Sequence, residues 1–244
     1  MKKKPPFILH LLFTIYAWIV GLFFLFYFFF IGFPLSILRG YNNNYPLLRK
    51  LIQVFAFFFS PIRISYHPDF DPKAPYLLVQ NHVNILDAFL AAKISPNAIC
   101  GIMHKWQFSI PVYGWLMSMS KGIPVDPKRI DNFERMSQIA AQRKDEGYSI
   151  ISFPEGGRSL NGSLKPFKKG IFLTAQKSGY PIVPIATKGN FYINRKGSYM
   201  MWPHPIEVQV GKPRIIPQDL TRAEFEKFIA DIRNEMDAFI QNHE

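Results

Sequence analysis

Pro75-Tyr76-Leu77-Leu78-Val79-Gln80-Asn81-His82-Val83-Asn84-Ile85-Leu86-Asp87-Ala88-Phe89-Leu90-Ala91-Ala92-Lys93 changes its periodicity halfway along. The apolar run up to Gln80 suits a strand buried on both faces, and from Ile85 to Lys93 the apolar positions take helical spacing. A buried strand running straight into a helix opens a βαβ unit. The pattern then recurs. Ala98 to Met103 reads as a second strand, and Phe133, Met136, Ile139 and Ala140 share one face of a helix that Gly147 stops. Tyr148 to Phe153 reads as a strand leading into a glycine-rich turn. Gly170 to Ser178 reads as a helix, and Pro181 to Thr187 and Ile206 to Val210 as strands. Thr221 and Glu224 form a capping-box signature for a last helix with Phe225, Phe228, Ile229, Ile232, Met236 and Phe239 on one face. The predicted fold is α/β, a mostly parallel sheet flanked by helices. An N-terminal hydrophobic, membrane-anchoring helical segment over residues 1–68 precedes the globular domain over 69–244.

That N-terminal segment sets the setting for any chemistry. Phe7 to Phe33 has no formally charged side chain, only His10 near its start. As a helix it is roughly 40 Å long against about 30 Å of bilayer hydrocarbon. A signal peptide has a core of about 7 to 15 residues ending at small side chains. Here aromatic bulk from Phe23 to Phe30 runs on to Pro34, so a retained anchor is the better reading. Leu47 to Ile62, with Leu51, Ile52, Val54, Phe55, Phe57, Phe58 and Phe59, is too short to cross and reads as an interfacial or re-entrant helix. A single span and a one-leaflet helical hairpin both satisfy these lengths.

Charge sharpens the choice of partner. The formal net charge is +12, and residues 1–68 hold no acid but seven bases: Lys2, Lys3, Lys4, Arg39, Arg49, Lys50 and Arg63. More than half of the excess thus adjoins the most apolar sequence, which points to anionic headgroups and away from nucleic acid. Cys100 is the only cysteine, so no intramolecular disulfide exists, and a small buried hydrophobe is its simplest reading.

Two short motifs carry chemistry. In Asn81-His82-Val83-Asn84-Ile85-Leu86-Asp87, Asn84 is placed as N-cap of the coming helix and Asp87 at its third position. Capping alone accounts for such a pair, but the same geometry lets the carboxylate fold back onto His82 and set its tautomer. In Phe153-Pro154-Glu155-Gly156-Gly157-Arg158-Ser159, the glycines let backbone approach a ligand and Arg158 offers two parallel donors to a phosphate. The competing reading is an ordinary turn with Arg158 in solvent or paired with Glu155. Both motifs follow strands of a parallel sheet, at the end where open α/β sheets bind ligands.

From Tyr76 to Gly189 the chain resembles the glycerophospholipid acyltransferase family, its lysophosphatidate acyltransferase group in particular. Asn81-His82 through Asp87 matches the Asn-His-x4-Asp block, Phe153 to Ser159 the Phe-Pro-Glu-Gly block, and Val183-Pro184-Ile185 the later proline-containing strand. The resemblance implies acyl transfer from a thioester, on coenzyme A or acyl carrier protein, to the free hydroxyl of a lysophospholipid. His82 would act as general base oriented by Asp87. Glu155, Gly156, Gly157 and Arg158 would hold the acceptor, with Lys105, Lys128, Arg129 and Lys168 as further cations. It also implies residence at a membrane, here expected to be a bacterial inner membrane with the catalytic domain on its cytoplasmic face. Beyond the thioester co-substrate no cofactor is expected, and no metal.

The chain departs from the family pattern at three places. Asn84 stands where serine is common, Gly157 where threonine is common, and Pro127 where an arginine is usual, with Lys128 and Arg129 next to it. The last departure leaves room for another lysolipid acceptor, such as a lyso-aminolipid. A non-enzymatic module binding anionic lipid is the reading from a different class, but it needs neither a His82/Asp87 pair nor a glycine turn before Arg158. His10, His67, His104, His204 and His243 lack metal-ligand spacing, and no Gly-x-Ser-x-Gly or Gly-x4-Gly-Lys-Ser/Thr segment occurs. Trp106, Trp115 and Met117 to Met119 are read as core or as the lining of an acyl groove.

Overall fold

The computed structural model describes residues 6–242 apart from 59, 127 and 130, and apart from the side chain of residue 57. Lys2, Lys3, Lys4, Phe59, Pro127 and His243 lie outside the described residues. Two helices, α1 (Phe7–Tyr27) and α2 (Phe33–Arg39), are joined end to end by a π-helical turn, Phe28–Gly32, and α3 (Tyr41–Phe57) folds back after Gly40. Next come β1 (Ile62–Tyr66), β2 (Leu77–Gln80), α4 (Asp87–Ile94), β3 (Ile99–His104), a 3-10 turn at Lys105–Ser109 and α5 (Tyr113–Met119). The chain continues through β4 (Ile123–Val125), α6 (Asn132–Asp145), β5 (Ser149–Ser152), α7 (Lys169–Ser178) and β6 (Ile182–Lys188). It ends with the short α8 (Asn190–Ile193), β7 (Ile206–Val210) and α9 (Arg222–Gln241).

The strands form one sheet in the order β1-β7-β6-β2-β5-β3-β4. Every neighbouring pair is parallel except β6 with β7. The expected mostly parallel sheet is therefore present. Its central strands are apolar on both faces because helices cover both. Leu77, Leu78, Ile150, Ile182 and Ile185 are fully buried, each contributing about 1.5–3 kcal/mol. Right-handed crossovers place helices that follow opposite strand steps on opposite faces. The packing agrees: α3 lies on α4 and α2 on α5, while α6 packs on α7 on the other side. Lys169 pairs with Glu226 and so sets α9 beside α7. The Thr221–Glu224 capping box forms as the sequence signature implies.

Two element boundaries differ from the sequence expectation. The second apolar segment starts at Tyr41, not Leu47, and ends at Phe57, so Ile62 opens β1 instead of closing a helix. β1 is an edge strand bonded in register to β7 from Ile62–Ile206 to Tyr66–Val210. Its alternating exposed and half-buried side chains carry too little apolar signal to show in a single sequence. A division of the chain after residue 68 leaves this strand on the N-terminal side.

The N-terminal helices form a hairpin held by a buried polar group. At the end of the π-helical turn the Gly32 carbonyl accepts from Ser36 Oγ at 2.7 Å and from Asn44 Nδ2 at 3.0 Å, and Asn44 Nδ2 also donates to Ser36 Oγ at 2.7 Å. A Cβ on Gly32 would lie 2.8 Å from Leu48 Cδ2, so glycine lets α3 approach. From Phe7 to Arg39 the helical stretch has 33 residues, with an 18-residue window of mean hydropathy 2.2, long and apolar enough to cross a membrane. Its outer side leaves Phe7, Ile8, Ile19, Phe23, Phe26 and Leu38 exposed.

Cys100 on β3 is buried, and burial pushes its thiol up to about 12. Native protein should therefore leave a chromogenic disulfide reagent unreacted at neutral pH, and one thiol should titrate after denaturant is added. A rapid one-equivalent reaction of the folded protein would contradict this placement of β3.

Candidate active site

β2 delivers the first motif to the carboxyl end of the sheet. After Gln80 the ladder to β6 is continued by a side chain: Asn81 Nδ2 donates to the Thr187 carbonyl at 2.9 Å, and Thr187 N–H donates to Asn81 Oδ1 at 2.8 Å. The main chain is thereby released to turn outward at His82. There it is clamped from β5's side, because His82 N–H donates to Glu155 Oε1 at 2.7 Å and Ser159 N–H donates to the His82 carbonyl at 2.7 Å. The imidazole stacks on Phe153, with ring centroids 4.1 Å apart and planes 19° from parallel.

His82 Nδ1 lies 2.9 Å from Asp87 Oδ2. That oxygen also accepts from Val83 N–H at 2.7 Å and Asn84 N–H at 2.8 Å, and Asp87 Oδ1 accepts from Asn190 Nδ2 at 2.7 Å. A carboxylate only accepts, so Nδ1 carries the hydrogen and Nε2 keeps the lone pair. The Asp87 side chain is 0% exposed while that of His82 is 22% exposed. Asp87 opens α4 as its first helical residue and does not sit at the third position. Asn84 instead closes a tight turn on Leu86 N–H at 2.8 Å, while its Nδ2 donates to the carbonyls of Asn190 and Asn194.

The glycine turn stands beside this pair. Gly156 N–H bonds the Phe153 carbonyl at 3.0 Å, and Gly156 has φ +70, a left-handed backbone that other residues resist. The Lys168 side chain lies across it: a Cβ there would be 2.4 Å from Lys168 Nζ. Glu155 is buried and spans two loops, taking His82 N–H on one oxygen and Lys165 N–H, at 3.0 Å, on the other. Burial raises its carboxyl above the ordinary value; the two N–H donors and the charges of Lys165 and His82 oppose this without overcoming it.

Residues 62–188 match the family model described as Acyltransferase. The chain belongs to that acyltransferase family. It is 33% identical over 181 residues to a chloroplastic 1-acyl-sn-glycerol-3-phosphate acyltransferase of Brassica napus, covering 72% of this chain and 51% of the relative. A human 1-acyl-sn-glycerol-3-phosphate acyltransferase alpha is 31% identical over 173 residues, covering 67% of this chain and 59% of its own length. The chain thus spans little more than half of these relatives. The crystal structure of a 1-acyl-sn-glycerophosphate acyltransferase from Thermotoga maritima superposes with a TM-score of 0.70 at 20% identity, over 96% of this chain and 98% of the other. That likeness shows the fold.

Within this acyltransferase domain the residues singled out from sequence fall into two groups. His82, Asp87, Glu155, Gly156 and Lys168 come together, with Gly157 and Arg158 in the same turn and Lys165 Nζ 3.4 Å from the Arg158 carbonyl. Lys105, Lys128 and Arg129 follow β3 and β4 at the same end of the sheet, and the charges of Lys105 and Arg129 already face acids. Lys105 is 3.5 Å from Asp126, and Arg129 makes a two-pronged bond to Asp131 at 2.8 and 2.6 Å, while Lys128 contributes its main-chain N–H to the Asp126 carboxylate.

Asn190, Asn194 and the ring role of Phe153 were not read from sequence. Their signal was slight: Gly189-Asn190 directly after a buried strand. Gly189 has φ +88, and a Cβ there would lie 2.0 Å from the Pro205 carbonyl oxygen, so the turn that delivers Asn190 requires glycine. An apolar crevice of about 30 Å³, lined in part by Phe55, Leu86, Phe89, Leu90 and Ile193, backs onto Asp87. It keeps bulk water from the carboxylate.

Asn190 is accordingly a positioning residue for the pair. Asn190→Ala leaves a buried carboxylate oxygen without its donor, a cost of about 1–3 kcal/mol. Acyl-transfer kcat should fall about tenfold with both KM values unchanged; a change in KM alone would contradict the assignment. Glu155 yields a pH effect of defined sign. Its raised carboxyl holds a proton in the folded state that the unfolded chain has released, so stability declines as pH rises above the ordinary 4.5. The melting temperature of wild type relative to Glu155→Gln should therefore fall between pH 4.5 and neutrality, and a rising difference would reverse the assigned direction.

Proposed function

We propose that the chain transfers a fatty acyl group from an acyl thioester to the sn-2 hydroxyl of 1-acyl-glycerol-3-phosphate, giving phosphatidate. The supporting observation is a partly exposed imidazole whose Nδ1 is held by a fully buried, hydrogen-bonded carboxylate. Such a pair leaves Nε2 to take the proton of a hydroxyl as its oxygen attacks the thioester carbonyl. The tetrahedral intermediate expels the thiolate, and the imidazolium returns its proton to that sulfur. Asp87 stabilises the imidazolium between these transfers. The 1-acyl-sn-glycerol-3-phosphate activity named for the relatives agrees with this acceptor.

Arg158, Lys165 and Lys168 surround the glycine turn and are the cations assigned to the acceptor phosphate. Lys105, Lys128 and Arg129 rim the same edge and are assigned to the polyanionic donor, coenzyme A or acyl carrier protein, after Lys105 and Arg129 exchange their acid partners. No cofactor beyond the thioester enters this scheme. The apolar hairpin meets the domain through both of its arms, α1 by Thr14 with Met201 and Trp18 with Tyr199, and α3 by Tyr41 with Ile99 and Arg49 with Ala92. A helix crossing the bilayer upright would leave the domain behind, so a hairpin lying in one leaflet is the reading these contacts support. Thioester donors are cytoplasmic metabolites, which supports placing the domain on the cytoplasmic face of a bacterial inner membrane.

The deciding experiment offers labelled acyl-CoA and acyl carrier protein thioesters to purified wild type and His82→Ala, with lysophosphatidate beside lysolipids lacking its phosphate. Phosphatidate should form, and His82→Ala should lower the rate at least about 10²–10⁴-fold. Transfer to another lysolipid alone would keep the mechanism and move the acceptor. Equal rates for the two proteins would remove His82 from the chemistry.

A further inference from the structure

The large apolar side chains left exposed are distributed unevenly. Among the described residues none lies on α6, α7 or α9, whose outer surfaces carry ion pairs such as Lys177–Glu134 and Lys227–Asp231. Apart from loop positions and single residues on β1 (Tyr66), α4 (Phe89) and α8 (Tyr192), they lie on the hairpin and on the segment from the 3-10 turn through α5, where four are gathered in ten residues. There Trp106 is 63% exposed and Trp115 54%, with Ile110 and Tyr113 exposed beside them. Of the two sequence readings of these tryptophans, core or groove lining, the core reading does not hold. Met117 and Met119 are half-buried.

We infer that the Lys105–Met119 segment is a second membrane-contacting element, seated in the headgroup region beside the hairpin. Three observations commit it to a lipid surface. It packs against α2 and shares the sheet face that carries α4 and the hairpin, so its exposed side chains continue the hairpin's exposed apolar side. Its composition is that of an interface, with two tryptophans and a tyrosine flanked by Lys105, whose side chain is 66% exposed, and by the exposed Arg39 at the end of α2. Finally, its backbone presents these side chains rigidly. Gly114 N–H bonds the Ile110 carbonyl at 2.7 Å, a Cβ on Gly114 would lie 2.0 Å from the Phe108 carbonyl oxygen, and Val112 takes φ +65, which a β-branched residue adopts only under constraint.

The consequence reaches the active site. Lys105 follows β3, two strand spacings from β2, so this element stands about 10 Å along the sheet edge from the strand bearing His82. Contacts at the hairpin and at this segment together would hold the carboxyl edge of the sheet toward the lipid surface. That is where a lysophospholipid and the acyl product both reside. The inference rests on the membrane placement proposed above but not on the identity of the reaction.

Its test is fluorescence of the full chain reconstituted in phosphatidylcholine–phosphatidylglycerol vesicles. Trp18→Phe/Trp202→Phe leaves only Trp106 and Trp115 as emitters, and Trp106→Phe/Trp115→Phe leaves only Trp18 and Trp202. Lipids brominated near the headgroup should take most of the emission from the first variant, and aqueous iodide should take little. Full iodide quenching with no bromolipid effect overturns the inference, and the second variant shows whether the hairpin's membrane contact fails with it. Shielding that develops only on adding acyl carrier protein likewise overturns it in favour of a protein partner. As a functional check, Trp106→Ser/Trp115→Ser should melt as wild type does and lose about tenfold in rate on vesicle-borne acceptor only; an equal loss on short-chain soluble acceptor would contradict a lipid role.

Discussion

A carboxylate without solvent contact is the constraint around which this site is arranged. Asp87 gives up its hydration, and in exchange accepts from His82 Nδ1, two consecutive main-chain N–H groups and Asn190 Nδ2. Burying an ionised group without such partners costs far more than a domain can spare. The four donors come from two places distant in the chain: the consecutive residues His82, Val83 and Asn84 of the β2–α4 turn, and Asn190 of α8. The pair is thus competent only when strands β2 and β6 are adjacent and α8 has docked. Folding and assembly of the base are one event.

The same network runs outward to the apolar hairpin. Asn84 donates to the carbonyls of Asn190 and Asn194, and Asn194 donates to that of Ser198. Three residues on, Met201 exchanges two hydrogen bonds with Thr14 in the middle of α1, accepting at 3.1 Å and donating at 3.0 Å. Thr14 is one of the few polar side chains in that helix, and it is buried. A polar group in an apolar helix is tolerated where it meets a partner. Here the partner is the loop that supports Asp87, so the position of α1 and the geometry of the base are set by contiguous contacts.

How much of this was readable from sequence follows from how local each interaction is. β2, β5, β6 and β7 announced themselves through apolar runs, and α9 through its capping box, because these signals reside in consecutive residues. The His82–Asp87 pair was readable for the same reason, since five residues of turn span it. Asn190 was not, because its partner lies 103 positions away and only the pairing of β2 with β6 joins them. β1 escaped because an edge strand needs no continuous apolar run. The core reading of Trp106 and Trp115 failed because tryptophan is usually a buried residue, and exposure of two in one short segment is a property of tertiary placement alone.

Sidedness ties these strands of reasoning to chemistry. The acceptor, the product and the acyl chain being transferred belong in lipid, while the donor's carrier portion and the released thiol are polar and belong in water. A site serving both must sit at the boundary with a charged rim and an apolar flank. The parallel sheet provides this in one stroke, because all of β2, β3, β4 and β5 end on the same edge. One face of the sheet then carries the hairpin and the exposed aromatic segment, and the other carries the ion-paired helices α6, α7 and α9. At the shared edge His82 is flanked by the Gly156 turn with its lysines, and by an apolar crevice behind Asp87. A phosphate drawn to the first and an alkyl chain drawn to the lipid side would bring the hydroxyl between them to the exposed imidazole, so the amphipathic character of the acceptor itself orients the reacting oxygen.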